Sequence, residues 1–255
     1  MDHQKNRRLK KIYILGGNGF VGRSLFDFLK AREQCFLVTK EQINFLKPET
    51  FSNLSFDNSI IIDCVNVNNN KELDIMDCNY RGLLSFTAYL GKTAVSFNYV
   101  YISTISVLSD ESVKTNVYVR SKKMAEDHLL SSGMDCQIIR LSYPIGSGEN
   151  KARLISRLIG NLRLNESILI QDVLINLNDI GDVVAAIYDH LLKEPLIFIS
   201  SNQYISLSEV VYFLKKQLNS ESKIEVKKTD AQFTPKAHEP FVPSKNIKDT
   251  LFSML

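Results

Sequence analysis

The segment IYILGGNGFVG, residues 12–22, is an apolar run that breaks at its glycines and leads into an amphipathic stretch over residues 24–30. The apolar residues 12–15 predict a strand, and the periodic stretch predicts a helix. Glycines in such a turn let the backbone bend tightly and approach a phosphate, whose charge the helix N-terminus attracts. The segment therefore predicts a dinucleotide-binding turn, and the alternative is a tight strand-to-helix connection without a ligand.

The glycines of this segment fit two related spacings. Counted from Gly16 the pattern is GxxGxxG, and counted from Gly17 it is also the GxGxxG pattern of dinucleotide-binding turns. We expect Gly16, Gly19 and Gly22 to cradle a pyrophosphate. The candidate cofactor-binding residues of the turn are Gly16, Gly19, Phe20, Val21 and Gly22.

The end of the second predicted strand bears on the choice of cofactor. Residues 35–39 predict this strand, and dinucleotide-binding proteins usually place an acidic residue at its end, where it binds the ribose hydroxyls. Here the chain has Thr39 and Lys40. A cation at Lys40 can pair with the 2′-phosphate of NADP, which slightly favours NADP over NAD; the alternative is an ordinary surface lysine.

A third strand completes the pattern of the first part of the chain. Residues 59–65, SIIIDCV, form the near-continuous apolar run of a strand that is buried on both faces of a parallel sheet. The polar residues 66–70 would lie at the carboxyl edge of that sheet, where ligands bind. We expect an α/β fold, a Rossmann-type doubly wound parallel sheet with a small C-terminal substrate lobe.

The middle of the chain carries residues suited to proton transfer. Residues 79–90 predict a helix, and residues 97–102 predict a strand that ends in Ser103 and Thr104. Hydroxyls at the carboxyl end of a strand can face a cofactor, although they also cap loops.

Tyr118 and Lys122 are spaced to lie on one face of a helix, which brings the ammonium toward the phenol. The pKa of a tyrosine is normally about 10, and a nearby cation favours the phenolate, which makes the group a better acid/base near neutral pH. The alternative for an isolated YxxxK is a surface tyrosine beside a lysine.

Composition limits the classes of function. A chain of 255 residues with 44% hydrophobic side chains can bury a full core. The net charge of +3 is too small to indicate nucleic acid binding. No apolar stretch reaches the about 18 residues of a membrane span, so we expect a soluble cytoplasmic protein. The N-terminal basic residues, which we expect to form a solvated tail, are Lys5, Arg7, Arg8, Lys10 and Lys11.

Neither the cysteines nor the histidines have the spacing of a metal site. The cysteines show no CxxC pattern and lie mostly among apolar neighbours, which favours reduced packing residues; they are Cys35, Cys64, Cys78 and Cys136. The histidines are too scattered for metal ligands; they are His3, His128, His190 and His238. We expect no metal.

Taken in order, several segments resemble the extended short-chain dehydrogenase/reductase superfamily in its NAD-dependent epimerase/dehydratase branch. The similarity continues over most of the chain and is specific for the superfamily, not for the substrate. The segments are GGNGFVG (16–22), NYRG (79–82), YISTISV (101–107), YVRSKKMAE (118–126), IIRL (138–141) up to Gly146, and INLNDIGDVVAAIYDH (175–190).

This resemblance implies roles for single residues. Thr104 is similar to the catalytic Ser or Thr of the family, Tyr118 to its general acid/base, and Lys122 to the lysine that binds the ribose and lowers the pKa of the tyrosine. The family also implies cofactor contacts for Asn66, beside the ribose, and for Tyr143, in a segment that passes the nicotinamide. Asn79 matches an asparagine that the family uses structurally.

Departures from the family pattern narrow the reaction. In nucleotide-sugar 4,6-dehydratases an Asp-Glu pair follows the hydroxyl residue, whereas Ile105 and Ser106 follow Thr104 here. Only about fourteen positions separate Thr104 from Tyr118, which is a shorter loop than most members carry. The compact segment 38–54 looks like the corresponding region of dTDP-4-dehydrorhamnose reductases, which reduce a 4-keto sugar. This likeness favours a reductase over an epimerase.

The final third predicts a small lobe. Residues 151–170 carry Arg153, Arg157 and Arg163, which can clamp a diphosphate bidentately or line a solvated helix face. Residues 196–200 predict a strand.

A capping box precedes the next predicted helix. Ser206 and Glu209 form this box, and the helix is expected over residues 210–218. The chain from residue 219 is mostly polar, so we expect loops there and a short helix around residues 247–251.

We therefore expect an NAD(P)-binding Rossmann domain over residues 1–150 and a smaller substrate-binding lobe over residues 151–255, whose strand at 196–200 can return to the sheet. The predicted function is an NAD(P)-dependent reductase of a keto nucleotide-sugar, in surface polysaccharide or deoxysugar biosynthesis. An epimerase with the same Thr104, Tyr118 and Lys122 is one alternative, and a non-catalytic dinucleotide-binding sensor or scaffold is another. The expected partners are a nucleotide-diphosphate sugar and a second copy of the chain in a homodimer, with no nucleic acid and no membrane.

Overall fold

The computed structural model of the protein describes residues 10–69, 71–94, 96–228 and 241–255. The chain divides into two compact units, Met1–Leu141 with Val184–Phe198, and Ser142–Val183 with Ile199–Leu255. Some residues named above lie outside the described ranges: His3, Lys5, Arg7, Arg8, Asn70 and His238.

The first part of the chain alternates strands and helices. In order, its elements are β1 (Lys11–Leu15), α1 (Phe20–Leu29), β2 (Cys35–Val38), a 3-10 segment (Pro48–Asn53), β3 (Ser59–Asp63), α2 (Glu72–Met76), a π-helical segment (Asp77–Gly82), α3 (Leu83–Thr93), β4 (Phe97–Thr104), a second 3-10 segment (Ile105–Leu108), α4 (Asp110–Thr115), α5 (Val117–Ser131) and β5 (Cys136–Leu141).

The rest of the chain has shorter strands. In order, its elements are β6 (Tyr143–Ile145), α6 (Leu154–Arg163), β7 (Ile168–Asp172), β8 (Leu174–Ile175), β9 (Leu177–Asp179), α7 (Ile180–His190), β10 (Leu196–Ile199), β11 (Ile205–Ser206), α8 (Leu207–Gln217), β12 (Ile224–Lys228) and α9 (Ile247–Ser253).

A six-stranded sheet with the order β10-β5-β4-β3-β1-β2 forms the centre of the first unit. Its pairs β1–β2, β1–β3, β3–β4 and β4–β5 are parallel. The strand order reverses between β1 and β3, and ligands of doubly wound folds bind at such a switch point. The predicted Rossmann-type fold class is confirmed.

Burial explains why these strands form. All five residues of β3 are buried, as the apolar run over residues 59–65 predicts for a central strand of a parallel sheet. Side chains of β1, β3 and β4 pack with α3 and α5 in one hydrophobic core, in which Tyr99, Tyr101 and Phe86 are nearly inaccessible to solvent. This packing sets the position of α5, the helix that carries Tyr118 and Lys122.

The second unit has a hydrophobic core of its own, formed by residues of α6, β7, α8 and α9 among others. Its strands pair as three small sheets, β11–β8, β12–β7 and β6–β9.

Two predictions of local structure are wrong. Strand β12 lies where loops were expected, and it pairs in parallel with β7. Its short alternating sequence, IEVKK, presents Ile224 and Val226 to the second core while its charged residues make the segment read as polar. The helix predicted over residues 79–90 begins instead at Glu72 and passes through the π-helical segment.

Candidate functional site

The turn after β1 lies directly against the backbone that follows β3. Gly16 has φ of +70°, and a Cβ atom there would lie 2.8 Å from the carbonyl carbon and oxygen of Cys64 and from the amide nitrogen of Val65. Only glycine fits this close approach in the left-handed region. The amide of Gly19 donates to the carbonyl of Gly16 at 2.9 Å and closes the turn.

The remaining glycines of the turn differ in their surroundings. A Cβ atom at Gly17 would lie 2.4 Å from the Leu37 side chain, and one at Gly22 would lie 2.6 Å from the Gly16 carbonyl oxygen. At Gly19 the nearest atom is that same oxygen at 3.1 Å, with nothing else within 4 Å. A side chain at Gly16 or Gly22 would therefore collide with backbone atoms and one at Gly17 with the Leu37 side chain, whereas the Cα of Gly19 borders open space.

Helix α1 begins directly at this open space with Phe20 and Val21. Its N-cap is Gly19, which supplies no side-chain hydrogen bond, and its first turn contains no acidic residue. The positive end of the helix dipole therefore lies at this open space, where it favours an anion. These features fit the pyrophosphate of a dinucleotide.

Polar residues follow the ends of the neighbouring strands. Leu15 pairs with Asp63, and Asp63 pairs with Tyr101, so β1, β3 and β4 end at one edge of the sheet. Asn66 is exposed just after β3, and Lys40 is exposed just after β2. Both lie at the carboxyl edge, as predicted.

Lys122 is buried in the first unit, with 2% of its surface exposed. Its Nζ donates to the carbonyl of Ile102 at 3.0 Å and, more weakly, to that of Val65 at 3.4 Å. It also lies 4.5 Å from the centre of the Tyr101 ring. An ammonium has three donors, and among the described residues the third has no hydrogen-bond acceptor.

Burial lowers the pKa of Lys122, because the charged form loses its hydration. The strongest opposing influence is the carboxylate of Asp63, which raises that pKa.

Tyr118 occupies the first turn of α5 and is half-buried. Its amide donates to Oδ1 of Asn116 at 3.0 Å, so the residue that caps the helix also holds the tyrosine backbone. Lys122 follows one turn later on the same helix. Tyr118 also acts electrostatically on Tyr101, whose pKa is raised well above normal, first by burial, then by Asp63 and then by Tyr118.

Thr104 ends β4 and caps the 3-10 segment that follows. Its Oγ1 accepts from the amide of Ser106 and donates to Oγ of Ser106, both at 3.3 Å. The side chain is half-buried. Its hydroxyl thus lies at the carboxyl end of the strand that also supplies the Ile102 carbonyl to Lys122.

Asn79 links the chain after β3 to helix α5. Its side-chain amide forms two hydrogen bonds with the backbone of Val67, accepting from the amide at 2.7 Å and donating to the carbonyl at 2.8 Å. The same amide donates to Oγ of Ser121 at 3.3 Å. A π-helical segment places the side chain there. This geometry agrees with the structural role that the family resemblance implies.

Sequence reasoning missed two functional candidates, Asp63 and Asn116. Asp63 is fully buried at the end of β3, and Asn116 caps α5 immediately before Tyr118. A carboxylate inside the apolar run IIIDCV was a signal for the first, since buried charges need a partner. An asparagine two residues before Tyr118 was a signal for the second.

Residues of the second unit are engaged with one another. Tyr143 begins β6, and its hydroxyl accepts from the amide of Leu154 at 3.0 Å. Arg153 pairs with the buried Glu149 at 2.6 Å and lies 4.7 Å from the Tyr143 ring centre. Of the other two arginines proposed as a diphosphate clamp, Arg157 is exposed and Arg163, also exposed, donates to the terminal carbonyl of Leu255.

Two negative findings apply to the described part of the chain. No group of three or more His, Cys, Asp or Glu side chains is arranged to hold a metal ion there. No helix there has the length and apolar character needed to cross a membrane.

The sequence model of the NAD dependent epimerase/dehydratase family matches residues 12–195. A comparison with curated proteins finds no match.

Solved structures share the fold over nearly the whole chain. RMD from Pseudomonas aeruginosa, complexed with NADPH, is 19% identical with a TM-score of 0.74, over 96% of this chain and 97% of that one. UDP-glucose 4-epimerase from Thermotoga maritima, with UDP-glucose, is 14% identical with a TM-score of 0.77, over 96% and 97%. dTDP-glucose 4,6-dehydratase from Bacillus anthracis, in complex with NAD, is 15% identical with a TM-score of 0.73, over 96% and 95%. At these identities the likeness shows the fold.

Proposed function

Because the chain belongs to the NAD-dependent epimerase/dehydratase family, it is an NAD(P)-dependent enzyme of the short-chain dehydrogenase/reductase type, and we propose that it reduces a keto group of a nucleotide-linked sugar. One observation carries the proposal. Tyr118 and Lys122 lie one turn apart on α5, and Lys122 reaches the carboxyl ends of β3 and β4, beside the glycine turn of β1.

Each side chain has a distinct task in this proposal. Tyr118 donates its phenolic proton to the carbonyl oxygen of the sugar, and the nearby Lys122 charge favours the phenolate that remains. The Thr104 hydroxyl orients the same oxygen. When bound, the nicotinamide cofactor supplies the hydride.

The residues after Thr104 favour reduction over elimination. Ile105 has no acid/base group, and Ser106 is engaged with Thr104. No carboxylate therefore stands at the two positions where 4,6-dehydratases have one. An epimerase would need only a reversible form of the same hydride transfer, so the residues after Thr104 do not distinguish it from a reductase. The resemblance of the compact segment 38–54 to keto-sugar reductases favours the reductase.

The glycine turn, Asn66 and the third donor of Lys122, all in the first unit, are the proposed cofactor contacts. NADP is slightly preferred over NAD, because Lys40 is exposed at the end of β2 where a carboxylate would otherwise favour the unphosphorylated ribose. The similar structures include complexes with NADPH and with NAD, so the preference rests on Lys40 and on Arg23, a second exposed cation near the start of α1.

The test is turnover by the purified protein with NADPH or NADH and a set of 4-keto nucleotide sugars. Consumption of the reduced cofactor in proportion to a reduced sugar is the expected result. Interconversion of two sugar epimers without net cofactor consumption would replace the reductase with an epimerase. Tight cofactor binding without turnover of any sugar would favour a sensor or scaffold.

A further inference from the structure

Asp63 is a carboxylate with no exposed surface at the end of β3. Both of its oxygens accept a hydrogen bond, Oδ1 from the amide of Val65 at 2.8 Å and Oδ2 from the hydroxyl of Tyr99 at 2.7 Å. A buried charge is stable only where hydrogen bonds and an opposite charge replace its hydration. The hydrogen bonds are present, and the opposite charge is Lys122.

The backbone of one residue, Val65, connects Asp63 to Lys122. Val65 donates its N–H to Asp63 and accepts the Lys122 ammonium on its carbonyl oxygen. Asp63 thereby fixes the backbone that receives Lys122. It also forms the second hydrogen bond with Tyr99 on β4, two residues before the Tyr101 ring over which the ammonium lies.

We propose that Asp63 is a positioning residue, which holds Val65 in place to receive the Lys122 ammonium and supplies the negative charge that keeps this buried ammonium protonated. The effect of Asp63 on catalysis rests on the proposed function. Its effect on the position and protonation of Lys122 does not.

Among the other ionisable groups around Lys122, neither the two cysteines, nor Tyr101, nor Glu126 can replace Asp63. The groups are Cys64 after β3, Cys78 on the π-helical segment, Tyr101 on β4, and Tyr118 and Glu126 on α5. Burial raises the pKa of Cys78 to about 11 and that of Cys64 further, so both thiols are neutral near pH 7.

Glu126 is already paired with Arg140. Its carboxylate accepts from Nε of Arg140 at 3.0 Å and 3.1 Å, and both side chains are nearly buried. Burial also raises the pKa of Tyr101 far above normal, so this phenol is neutral near pH 7 and supplies no negative charge. Asp63 is thus the carboxylate near Lys122 whose charge no arginine neutralises in the described structure.

The mutual effects of the pair agree with this assignment. Burial raises the pKa of Asp63, and Lys122 is the strongest influence that lowers it, followed by the hydrogen bonds from Tyr99 and Val65. Conversely, Asp63 is the strongest influence that raises the pKa of Lys122.

The experiment is an NMR titration of the protein without cofactor, labelled with ¹³C at lysine Cε, in which the Lys122 signal is assigned with Lys122→Met. Asp63→Asn keeps an oxygen that can accept from Val65 but removes the charge. We expect it to lower the pH at which Lys122 loses its proton by about one unit or more. Asp127→Asn is the matched control, because Asp127 is an exposed carboxylate on α5, the helix that carries Lys122.

A Lys122 titration that is the same in Asp63→Asn, Asp127→Asn and the wild type would overturn the proposal. If Asp63→Asn does not fold, the ¹³Cγ shift of Asp63 in the wild type decides: a carboxylate at neutral pH supports the proposal, and a neutral carboxyl overturns it. Neither measurement needs a substrate, so failure to find a reductase activity leaves this test intact. Where activity is found, the alkaline limb of its pH profile should move to lower pH in Asp63→Asn alone.

Discussion

At the scale of single residues, the side chains of Tyr118 and Lys122 are held in different ways. The Tyr118 backbone is tied to Asn116, whereas the Lys122 ammonium is tied to two strand carbonyls. In the proposed mechanism, the buried lysine sets the electrostatic potential at the neighbouring phenol, and the tyrosine exchanges the proton.

Removing the phenolic hydroxyl tests the tyrosine. We expect Tyr118→Phe to lower turnover by a factor on the order of 10² or more, since a positioned proton donor is lost, and to leave cofactor affinity nearly unchanged. Stopped-flow measurement of hydride transfer gives the rate. Tyr212→Phe is the control, because Tyr212 is an exposed residue of α8. A wild-type rate in Tyr118→Phe would remove this tyrosine from the mechanism.

Gly19 is the glycine whose substitution should affect the ligand more than the fold. A Cβ atom there meets one backbone oxygen at 3.1 Å and otherwise open space. We expect Gly19→Val to abolish NAD(P) binding while the protein still folds, because the branched side chain would fill the space of the pyrophosphate. Calorimetric titration and circular dichroism measure the two properties.

Gly91→Val provides the control for the same change in size. Gly91 lies on α3, and a Cβ atom there meets nothing within 4 Å. This variant should bind the cofactor as the wild type does. Unchanged binding in Gly19→Val as well would mean that the glycine turn is only a structural connection.

The preference between the two cofactors depends on exposed cations, chiefly Lys40. A charge-assisted hydrogen bond from Lys40 to a 2′-phosphate would contribute roughly 1.5 to 3 kcal/mol. We expect NADPH to bind at least several times more tightly than NADH, and Lys40→Asp to narrow or reverse the difference. Dissociation constants for both cofactors check this, with Lys92→Asp, an exposed lysine of α3, as the control. Arg23, exposed on α1, is a second cation that can contribute.

At the scale of elements, helix α5 is fixed at its start and in its middle. Asn116 caps the first turn with bonds to the amides of Tyr118 and Val119. Glu126, further along the helix, forms a buried ion pair with Arg140 of β5. Asn79 adds a third attachment through Ser121. The helix is thus attached to the rest of the first unit on both sides of Lys122.

Removal of the cap should destabilise the protein. We expect Asn116→Ala to lower the free energy of unfolding by about 1 kcal/mol, because two amides of the first turn lose their acceptor. Asn116→Asp, which keeps an acceptor and adds a favourable charge at the helix N-terminus, should retain the wild-type stability. Urea unfolding monitored by circular dichroism provides both values. Equal loss in both variants would contradict a capping role.

At the scale of the whole molecule, we expect a homodimer. In the family that the chain resembles, two helices pair across a twofold axis as a four-helix bundle, and the corresponding helices here are α3 and α5. Self-association through one patch is also the commonest form of oligomer. Light scattering at micromolar concentration should give twice the 29.0 kDa chain mass. A monomer mass alone would contradict the expectation.

Much of the fold and of the candidate site could be predicted because its signals are local. The glycine turn, the apolar run of β3 and the one-turn spacing of Tyr118 and Lys122 are patterns of neighbouring residues, and backbone geometry translates them directly into a turn, a buried strand and one helix face. Strand β12 was missed for the complementary reason. Its alternating residues gain their stability from pairing with β7, which is more than fifty positions away.

The sequence by itself determined the alternation of strands and helices in the first part of the chain, the glycine turn and the one-turn spacing of Tyr118 and Lys122, since each depends on residues within a turn or two of one another. Only the tertiary structure decided what surrounds Lys122. Its partners Val65 and Ile102 lie 57 and 20 positions away from it in the sequence. The hydroxyl that donates to Asp63 belongs to Tyr99, which is 36 positions from Asp63. The physical reason is that burial and charge pairing depend on which strands lie side by side, and the parallel order β1-β3-β4 brings together groups that no local pattern relates.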